Sequence, residues 1–300
     1  MKVNVIGLGY IGLPTAAALA AKGIDVLGVD INQNIVDSIN QGEIHIIEPG
    51  LKKIVSNTIK IGKLKAKVLP EKANTFIIAV PTPLNESQKP DLSYIYSACK
   101  SIAPVLEKGN LIILESTSPV GTTEKILEWF KKERPDLSFP TLDSKIKADI
   151  AVAYCPERVL PGHILKELME NDRIIGGVTN QCATKAQSLY KKFVDANYFI
   201  TDCRTAELCK LVENSFRDIN IAFANELSLI CEKLNINVWK LIKLANYHPR
   251  VNILQPGPGV GGHCIAIDPW FIVNSAPNEA RLVKTARLVN DSKPNFVLEK

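Results

Sequence analysis

The chain has 300 residues, 46% of them hydrophobic, so two domains with substantial cores are the expectation. Its 36 basic and 31 acidic residues give a net charge of +5, and the densest basic stretch, residues 52–72, lacks aromatic residues, which argues against nucleic-acid binding. The seven cysteines form no CxxC pair, so neither a metal site nor a disulfide framework is indicated. We expect a cytoplasmic protein with no metal and no membrane or nucleic-acid partner.

The first 30 residues predict a dinucleotide-binding unit. Residues 3–6 form a β-branched run, and the sequence Gly7-Leu8-Gly9-Tyr10-Ile11-Gly12 follows at once. An alanine-rich helix to about Lys22 and a second strand over residues 25–29 come next. The same residues have some features of a signal peptide, but the order strand, GxGxxG, helix, strand accounts for them in more detail.

Each glycine of this turn has a specific physical role. Gly7 makes the turn, Gly9 admits a pyrophosphate, and Gly12 lets the helix pack on the strand. The helix amino terminus then offers free N–H groups to the phosphates. Asp30 lies 18 residues after Gly12, where it can accept hydrogen bonds from a ribose 2′-OH and would repel a 2′-phosphate. NAD is therefore favoured over NADP.

Further apolar runs at residues 75–80, 110–114 and 150–154 alternate with predicted helices, which indicates a parallel sheet covered on both faces. Polar segments follow these runs, and in such sheets the carboxyl ends of the strands face the ligand. Two of the segments contain Thr82 and Thr117, for which ordinary strand-end capping is an equal alternative. The third contains Glu157 and Arg158, suited to proton transfer and anion binding, with a surface ion pair as the alternative.

Residues 205–234 predict one long amphipathic helix. Its apolar residues recur at intervals of three and four and predict a stripe that faces a core: Leu208, Val212, Phe216, Ile219, Phe223, Leu227 and Ile230. On roughly the opposite side, Lys210, Asn214 and Arg217 recur at the same intervals. A solvent face is one interpretation. Because asparagine is a poor mid-helix residue, we favour the interpretation that these three side chains form a line that binds an alkoxide and a phosphate.

A glycine-rich loop at residues 257–262 ends in His263 and Cys264, with Asp268 four residues beyond the thiol. Glycines let backbone N–H groups approach a ligand, so the loop predicts a ligand cradle followed by a reactive cysteine. A tight turn before a buried cysteine is the alternative. The polar segment around His248 precedes this loop and is typical of a substrate loop, although a turn role for the histidine is equally consistent.

Taken together, these motifs resemble the UDP-glucose/GDP-mannose dehydrogenase family over essentially the whole chain. The residues that carry the resemblance are the glycine turn through Thr15, Cys155-Pro156-Glu157-Arg158-Val159-Leu160-Pro161-Gly162, Lys210 to Asn214, Phe223-Ala224-Asn225-Glu226-Leu227, His248-Pro249-Arg250, and Gly257 through Phe271. Arg158 and the sequence Gly262-His263-Cys264 are similar to the branch that uses N-acetylhexosamines.

The resemblance implies an α/β fold with two domains. Residues 1–200 would form an N-terminal Rossmann-type parallel sheet domain, and residues 201–300 an all-helical central domain with a long helix. The central helix would form a homodimer. Family members continue into a third, UDP-binding domain that this chain lacks, so we expect a fragment of a longer protein.

The resemblance also implies NAD-dependent oxidation of the C6 alcohol of a UDP-N-acetylhexosamine, expected to be UDP-N-acetyl-D-mannosamine, to the carboxylate. Cys264 would carry a thiohemiacetal and then a thioester. Lys210 and Asn214 would stabilise the oxyanions. Asp268 and Glu157, with Lys210, would organise or deprotonate the hydrolytic water. The configuration at C2 and C4 of the sugar stays open.

The remaining implied contacts fall into two groups. The NAD contacts are Gly7, Gly9, Tyr10, Ile11, Gly12, Asp30, Thr82 and Thr117, the last also counted among the catalytic residues. The nucleotide-sugar contacts are Arg158, Val159, Lys210, Asn214, Arg217, His248, Arg250 and Gly261, with Arg250 reaching across a dimer. Two alternatives compete with this hypothesis: a one-step dehydrogenase of the β-hydroxyacid type, and a truncated module that binds NAD and dimerises without turnover.

Overall fold

The computed structural model of the chain describes residues 1–141, 148–262 and 264–299. Contacts divide the chain into two compact units, one comprising Met1–Thr82 and Asp91–Glu207 and the other Pro83–Pro90 and Leu208–Lys300. His263, part of the predicted glycine-loop motif, lies outside the described residues.

An eight-stranded sheet forms the middle of the first unit. Its strands are β1 (Lys2–Ile6), β2 (Asp25–Val29), β3 (Leu64–Lys67), β4 (Thr75–Ile78), β5 (Leu111–Leu114), β6 (Ala151–Tyr154), β7 (Arg173–Gly177) and β8 (Tyr198–Asp202). Across the sheet they lie in the order β3-β2-β1-β4-β5-β6-β7-β8. All neighbours are parallel except β6 and β7, which are antiparallel. The predicted Rossmann-type sheet is confirmed, and the antiparallel pairing was not foreseen.

Helices cover both faces of this sheet. They are α1 (Gly12–Ala21), α2 (Gln33–Asn40), α3 (Leu51–Lys60), α4 (Ser93–Ile102), α5 (Thr122–Glu133), α6 (Ile164–Glu170) and α7 (Asn180–Tyr190). Leu13 and Leu19 of α1 are fully buried in one core cluster, while Ile95 of α4 and Phe130 of α5 are fully buried in the other. Each such side chain contributes roughly 1.5–3 kcal/mol through removal from water. The strands are apolar on both sides because both sides are covered.

One helix of the first unit takes its cap from a distant residue. The amino terminus of α5 receives no cap from its own preceding residue, Gly121. Instead, the carboxylate of Glu207 accepts hydrogen bonds from the Gly121 N–H at 2.6 Å and the Thr123 N–H at 2.8 Å. Because these N–H groups have no partner within a helix, the buried carboxylate satisfies them and also favours the positive end of the helix dipole.

The second unit is built from helices. They are α8 (Cys203–Lys233), which runs through the boundary between the units, α9 (Val238–Ala245), α10 (Asp268–Ser275) and α11 (Arg281–Leu298). Trp270, Val273 and Ala280 form its apolar core. Arg287 and Asp218 form an ion pair at 2.5 Å with both side chains almost fully buried. In the described part of this unit the only β pairing is an isolated bridge, so the predicted helical domain is confirmed.

The apolar stripe on α8 does not face a core, and that prediction is wrong. Phe216 is 70% exposed and Phe223 is 52% exposed, and Leu208, Val212 and Ile230 are also exposed. The buried face carries small and polar residues instead, among them Ser215 and Asp218. Periodicity alone cannot tell these faces apart, because both repeat every three to four residues. On this face Asp218 Oδ1 pairs with Arg287 and accepts a hydrogen bond from Asn290, which offsets part of the cost of burying the charge.

The part of the chain that the structure describes contains neither a candidate membrane span nor a candidate metal cluster. No helix there is both long and apolar enough to cross a lipid bilayer. In the same ranges, histidine, cysteine, aspartate and glutamate form no group of three or more that could hold a metal ion.

Candidate active site

The glycine turn after β1 has the backbone that the sequence predicts. Gly7 has a φ of +91°, and a Cβ at this position would lie 2.6 Å from the Ala79 carbonyl oxygen. A Cβ on Gly12 would lie 1.8 Å from the Gly7 carbonyl oxygen, so both positions exclude every other residue. Nothing lies within 4 Å of a Cβ built on Gly9, where the backbone faces open space. This open backbone fits the close approach of a pyrophosphate.

Asp30 is fixed beside this turn. Its Oδ2 accepts a hydrogen bond from the Leu8 N–H and its Oδ1 accepts one from the Asn32 N–H, both at 3.0 Å. Each oxygen retains a lone pair that can accept from a ribose hydroxyl. Tyr10 and Ile11 lie in the turn that precedes α1, and Tyr10 is 54% exposed. The residues of this site therefore fit NAD, as predicted.

The loops after β4 and β5 are joined by the two predicted threonines. The Thr82 hydroxyl donates to the Thr117 carbonyl oxygen at 2.6 Å, and the Ser116 hydroxyl donates to the Val80 carbonyl oxygen at 2.7 Å. These bonds hold two strand-end loops together at the carboxyl edge of the sheet, where the ligand of a doubly wound fold lies. Thr82 thus joins the two loops through its side chain and Thr117 through its backbone carbonyl, at the expected ligand edge.

Glu157 is not part of a surface ion pair. Its side chain is buried, and Oε2 accepts a hydrogen bond from Arg173 Nη1 at 2.5 Å. Oε1 accepts from the Arg158 N–H at 2.8 Å, while the Arg158 guanidinium donates to the Asp172 carbonyl oxygen at 3.3 Å. The surface ion pair considered from the sequence is therefore wrong for Glu157, because its ion pair is buried. Arg158 and Val159 are half-buried.

A second buried carboxylate lies in the same region and was missed as a site residue. Glu115 directly follows β5, and its Oε1 accepts a hydrogen bond from the Tyr190 hydroxyl at 2.6 Å. Thr15 of α1 donates to the other oxygen at 3.4 Å. Burial, and secondly the negative charge of Glu157, raise the pKa of Glu115 to about 7. The signal available in the sequence was an acid at a strand end, two residues before Thr117.

In the second unit, the structure brings together four of the predicted catalytic residues. Asn214 Nδ2 donates to Asp268 Oδ2 at 2.5 Å, and Asp268 opens α10 with its side chain buried. The charges of Lys210 and Asp268 both act on the thiol of Cys264. The Asp268 N–H also donates to the Cys264 carbonyl oxygen at 2.8 Å, which fixes the distance between acid and thiol along the chain. Lys210 and Asn214, four residues apart, share one face of α8.

The titration of this cluster is set by burial. Burial raises the pKa of Asp268 to about 6, although the hydrogen bond from Asn214 and the charge of Lys210 act in the opposite direction. Desolvation and the neighbouring Asp268 raise the pKa of Cys264, and Lys210 lowers it. Cys264 is nevertheless exposed, whereas Cys99, Cys155 and Cys203 are buried. An exposed thiol beside a lysine and a carboxylate can act as a nucleophile when the carboxylate accepts its proton and the charge of the lysine favours the thiolate.

The base of the glycine loop is anchored by a buried amide. The Gly257 N–H donates to Asn225 Oδ1 at 2.9 Å, and Asn225 Nδ2 donates to Asn290 Oδ1 at 2.8 Å. Asn290 in turn donates to the carboxylate of Asp218 at 2.8 Å. Gly261 lies farther along the loop, exposed, with open space around its Cα. The loop is therefore tied to α8 and α11 at one end and open at the other.

The other predicted sugar contacts are exposed. Arg217 lies one turn beyond Asn214 on α8, and the Arg250 N–H donates to His248 Nδ1 at 3.3 Å in the segment after α9. Among the described residues, no hydrogen bond or ion pair joins Arg217, His248 or Arg250 to the cluster around Cys264.

Comparison with known proteins identifies the family to which the chain belongs. Residues 1–194 match the NAD binding domain of the UDP-glucose/GDP-mannose dehydrogenase family, and residues 204–292 match its central domain. The chain belongs to this family. The predicted NAD cofactor and the oxidoreductase class are thereby confirmed.

Individual relatives are similar over nearly the whole chain. The UDP-N-acetyl-D-mannosamine dehydrogenase of Campylobacter jejuni is 65% identical over 100% of this chain and 74% of its own length. The NDP-N-acetyl-D-galactosaminuronic acid dehydrogenase of Ralstonia nicotianae is 61% identical over 99% of this chain and 70% of its own. The solved structure of UDP-D-ManNAc dehydrogenase from Pyrococcus horikoshii has a TM-score of 0.92 at 44% identity, covering 100% of this chain and 70% of that one.

Proposed function

We propose that this chain catalyses the four-electron oxidation of the C6 alcohol of UDP-N-acetyl-D-mannosamine to UDP-N-acetyl-D-mannosaminuronate. The observation that carries the proposal is the cluster of Cys264, Lys210, Asn214 and Asp268 within one unit. A two-electron alcohol oxidation has no use for a thiol in this cluster. The 65% identical dehydrogenase of Campylobacter jejuni supports the choice of sugar.

The cofactor site is proposed to lie at the carboxyl edge of the sheet. Gly7, Gly9 and Gly12 would shape the turn for the pyrophosphate, and Asp30 would accept from a ribose hydroxyl. Bound NAD⁺ supplies the acceptor for the hydride that leaves C6 in each of the two oxidations. The loops joined by the bond from Thr82 to Thr117 would flank the nicotinamide.

In the first half of the reaction, the alcohol loses a hydride and a proton and becomes an aldehyde. Cys264 Sγ then forms a bond to the aldehyde carbon, and the carbonyl oxygen becomes an oxyanion. Lys210 and Asn214, both donors beside Cys264 and Asp268, would stabilise that oxyanion. Removal of one such donor costs roughly 3–4 kcal/mol in typical enzymes. The product of this half is a thiohemiacetal on Cys264.

In the second half, loss of another hydride and proton converts the thiohemiacetal to a thioester, which water hydrolyses. The water gives one proton to a carboxylate, its oxygen bonds to the carbonyl carbon, and the bond to Cys264 Sγ breaks. Asp268 and Glu157 are the proposed acceptors of that proton. Because the pKa of Asp268 is about 6, this carboxylate is ionised at neutral pH and can accept it.

The proposed sugar contacts are distributed over two polar segments and α8. Arg158, Val159, Arg217, His248, Arg250 and Gly261 would bind the nucleotide sugar, together with Lys210 and Asn214. Arg217 extends the line of Lys210 and Asn214 by one turn, which places a second cation on that face of α8 for a phosphate. The 61% identical Ralstonia protein favours the N-acetylgalactosamine epimer as the second candidate substrate.

We also propose a cytoplasmic homodimer that forms through the exposed apolar stripe of α8. Five large apolar side chains of this helix are 41–70% exposed, and a row of exposed apolar side chains supports an interaction surface. The seven unpaired cysteines support a reducing compartment. Replacement of Phe216 by Glu is expected to yield monomers in sedimentation equilibrium, while Phe199→Glu, an exposed phenylalanine on β8, leaves the dimer intact. A dimer that survives Phe216→Glu would contradict the proposed interface.

The decisive experiment counts NADH per sugar. We expect two NADH for each molecule of UDP-N-acetyl-D-mannosamine consumed, with the uronate as product, and less uronate from the N-acetylgalactosamine and N-acetylglucosamine epimers. Cys264→Ala should abolish uronate formation, whereas Cys209→Ala, a change at a half-buried cysteine next to Lys210, should not. One NADH per sugar would favour the one-step dehydrogenase, and binding of NAD without turnover would favour the non-catalytic module.

A further inference from the structure

A buried chain of hydrogen bonds in the second unit links α11 and α8 to the base of the glycine loop. It begins at the ion pair of Arg287 with Asp218, whose Oδ1 also accepts from Asn290 Nδ2 at 2.8 Å. Asn225 Nδ2 then donates to Asn290 Oδ1 at 2.8 Å, and Asn225 Oδ1 accepts from the Gly257 N–H at 2.9 Å. The four residues that lead to Gly257 are at most 2% exposed. Their burial keeps water from replacing these bonds.

The first acceptor of this chain sets the direction of every later bond. Asn290 Nδ2 donates to the backbone carbonyl oxygen of Asp218 as well as to its Oδ1, so the amide must present its NH2 group there. Its carbonyl oxygen therefore faces Asn225, which must donate to it and keeps its own carbonyl oxygen for the loop. Because an amide turned the other way would face a like partner, the chain specifies one position for the Gly257 N–H.

The helix that holds this chain also carries the donors of the proposed reaction. Asn214 and Asn225 both lie on α8, about three turns apart or roughly 16 Å along its axis. The segment that begins at Gly257 leads to Cys264, whose carbonyl oxygen accepts from the Asp268 N–H. One continuous helix therefore fixes both an oxyanion donor and the start of the segment that carries the thiol.

We propose that Asn225 is a positioning residue that fixes the base of the glycine loop, so that Cys264 captures the aldehyde before the aldehyde leaves. This inference rests on the proposed function, which assigns the covalent step to Cys264. Gly259, Gly261 and Gly262 allow the loop many backbone conformations, and without its anchor the loop would spend less time in the one that captures the aldehyde. In that step Sγ bonds to the aldehyde carbon, the thiol proton passes to a neighbouring carboxylate, and the carbonyl oxygen becomes the oxyanion.

A purely structural role would give a different pattern. The chain contains buried polar groups, so its loss would destabilise the unit whether or not the loop takes part in catalysis. Lower stability alone would reduce the yield of folded enzyme, and each folded molecule would still convert every aldehyde to the uronate. A positioning role changes the fate of the aldehyde in folded molecules, because release then competes with capture by the thiol.

The first test measures that fate during turnover. Asn225→Leu replaces the amide by an apolar side chain of similar size and removes both of its bonds. With semicarbazide present to trap aldehyde, the variant should release it, so that NADH per sugar falls from two towards one. Uronate formation should fall roughly 10- to 100-fold. Asn246→Leu is the matched control and should release no aldehyde, since Asn246 is a half-buried asparagine of the same unit that also donates to and accepts from the backbone, at Ile253.

The second test needs no turnover and therefore does not depend on the proposed function. Burial and the charge of Asp268 raise the pKa of Cys264, and Lys210 lowers it. Release of the loop should expose the thiol, so iodoacetamide should alkylate Cys264 faster in Asn225→Leu than in the wild type. The midpoint of the pH profile should shift to lower pH, towards the ordinary value for a thiol. Mass spectrometry measures this rate against that of Cys209 in the same molecules.

The outcomes separate the inference from the proposed function. One NADH per sugar in the wild-type enzyme would overturn the proposed function, and alkylation would still decide whether Asn225 positions the thiol. With two NADH in the wild type, the inference is overturned if folded Asn225→Leu releases no aldehyde, if Asn246→Leu releases as much, or if Cys264 is alkylated at the wild-type rate and pH.

A second pair of variants breaks the same bond from the side of the loop. If Asn225→Leu does not fold, Gly257→Pro removes the donated N–H, and Gly257→Ala, which keeps it, is the control. A Cβ at this position has room, because its nearest neighbour is the Gly259 carbonyl oxygen at 3.9 Å. Aldehyde release from the proline variant alone is expected, and equal release from both variants would contradict the inference.

Discussion

Both units of the chain bury a carboxylate near a cation, but the two clusters are built differently. In the first unit, Arg173 contacts Glu157 at 2.5 Å and both side chains are at most 3% exposed. In the second, Asp268 takes its hydrogen bond from the amide of Asn214, and Lys210 acts on it through its charge. Burial raises the pKa of Asp268 to about 6, although Asn214 and Lys210 act in the opposite direction, so this acid can change its protonation near neutral pH. The contact with Arg173 fixes the position of the Glu157 carboxylate in the first cluster, and we expect Asp268 of the second cluster to exchange protons in the reaction.

The largest expected effect tests the proton exchange in the second cluster. Asp268→Asn should lower uronate formation by roughly 10²- to 10⁴-fold, the range for loss of a general base. In the wild-type enzyme the rate should fall as the pH drops through about 6, because Asp268 then becomes protonated. The measurement is turnover against pH, with Glu279→Gln, an exposed acid of the same unit, as the control. An unchanged acidic limb in Asp268→Asn would assign that titration to another group.

The next effect compares the two cations. Arg173→Met leaves Glu157 buried without its partner and should lower the free energy of unfolding by about 3–5 kcal/mol. Lys210→Met should lower it by less than about 1 kcal/mol, since Lys210 is half-buried, and should instead reduce NADH formation. Denaturant unfolding of both variants gives the two values. Equal losses of stability would contradict the distinction between Arg173, the partner of a buried carboxylate, and Lys210, a cation that takes part in the reaction.

The sequence predicted the parts of the fold that depend on local pattern. Residues 25–29 and 75–80 contain strands because continuous apolar runs indicate strands buried on both faces, and the glycine turn identified the first β-α-β unit. Strand β3 was missed, because Leu64 and Ala66 alternate with lysines inside a basic stretch that indicated a solvated surface. A half-buried edge strand of four residues carries too little pattern to be recognised by itself.

The residues of the candidate site also divide into those that local pattern could pair and those that it could not. Lys210 and Asn214 could be paired from their helical spacing, and Cys264 and Asp268 from their proximity in sequence. Arg173 could not be paired with Glu157, because their contact depends on the antiparallel pairing of β6 with β7. That strand direction is a property of the tertiary fold and leaves no periodic signal.

A smaller effect tests whether the buried Glu115 of the first cluster stays protonated up to a pH of about 7. Its folded pKa of about 7 exceeds the ordinary value of 4.5, so the native state binds more protons than the unfolded state between these values. Wild-type stability should therefore fall as the pH rises through this window, by on the order of 2–3 kcal/mol. The groups that face Glu115 are Glu157, Tyr190, Arg173, Thr15 and Cys155.

Glu115→Gln should remove this pH dependence, because the amide does not titrate. Unfolding by denaturant at a series of pH values provides the test, and the wild-type and variant curves should diverge as the pH approaches 7. Parallel curves would show that Glu115 does not change its protonation in this range.

The smallest effect concerns the hydrogen bonds to Glu115. Tyr190→Phe removes a donor at 2.6 Å, and Thr15→Val removes one at 3.4 Å. Loss of a bond to a charged acceptor costs roughly 1.5–3 kcal/mol and loss of a bond to a neutral one about 1 kcal/mol. Tyr190→Phe should therefore raise the pKa of Glu115 further and cost more stability well above pH 7 than well below it, while Thr15→Val costs less at either pH. Equal costs on both sides of pH 7 would mean that Tyr190 bonds to a carboxyl group whose charge does not change in this range.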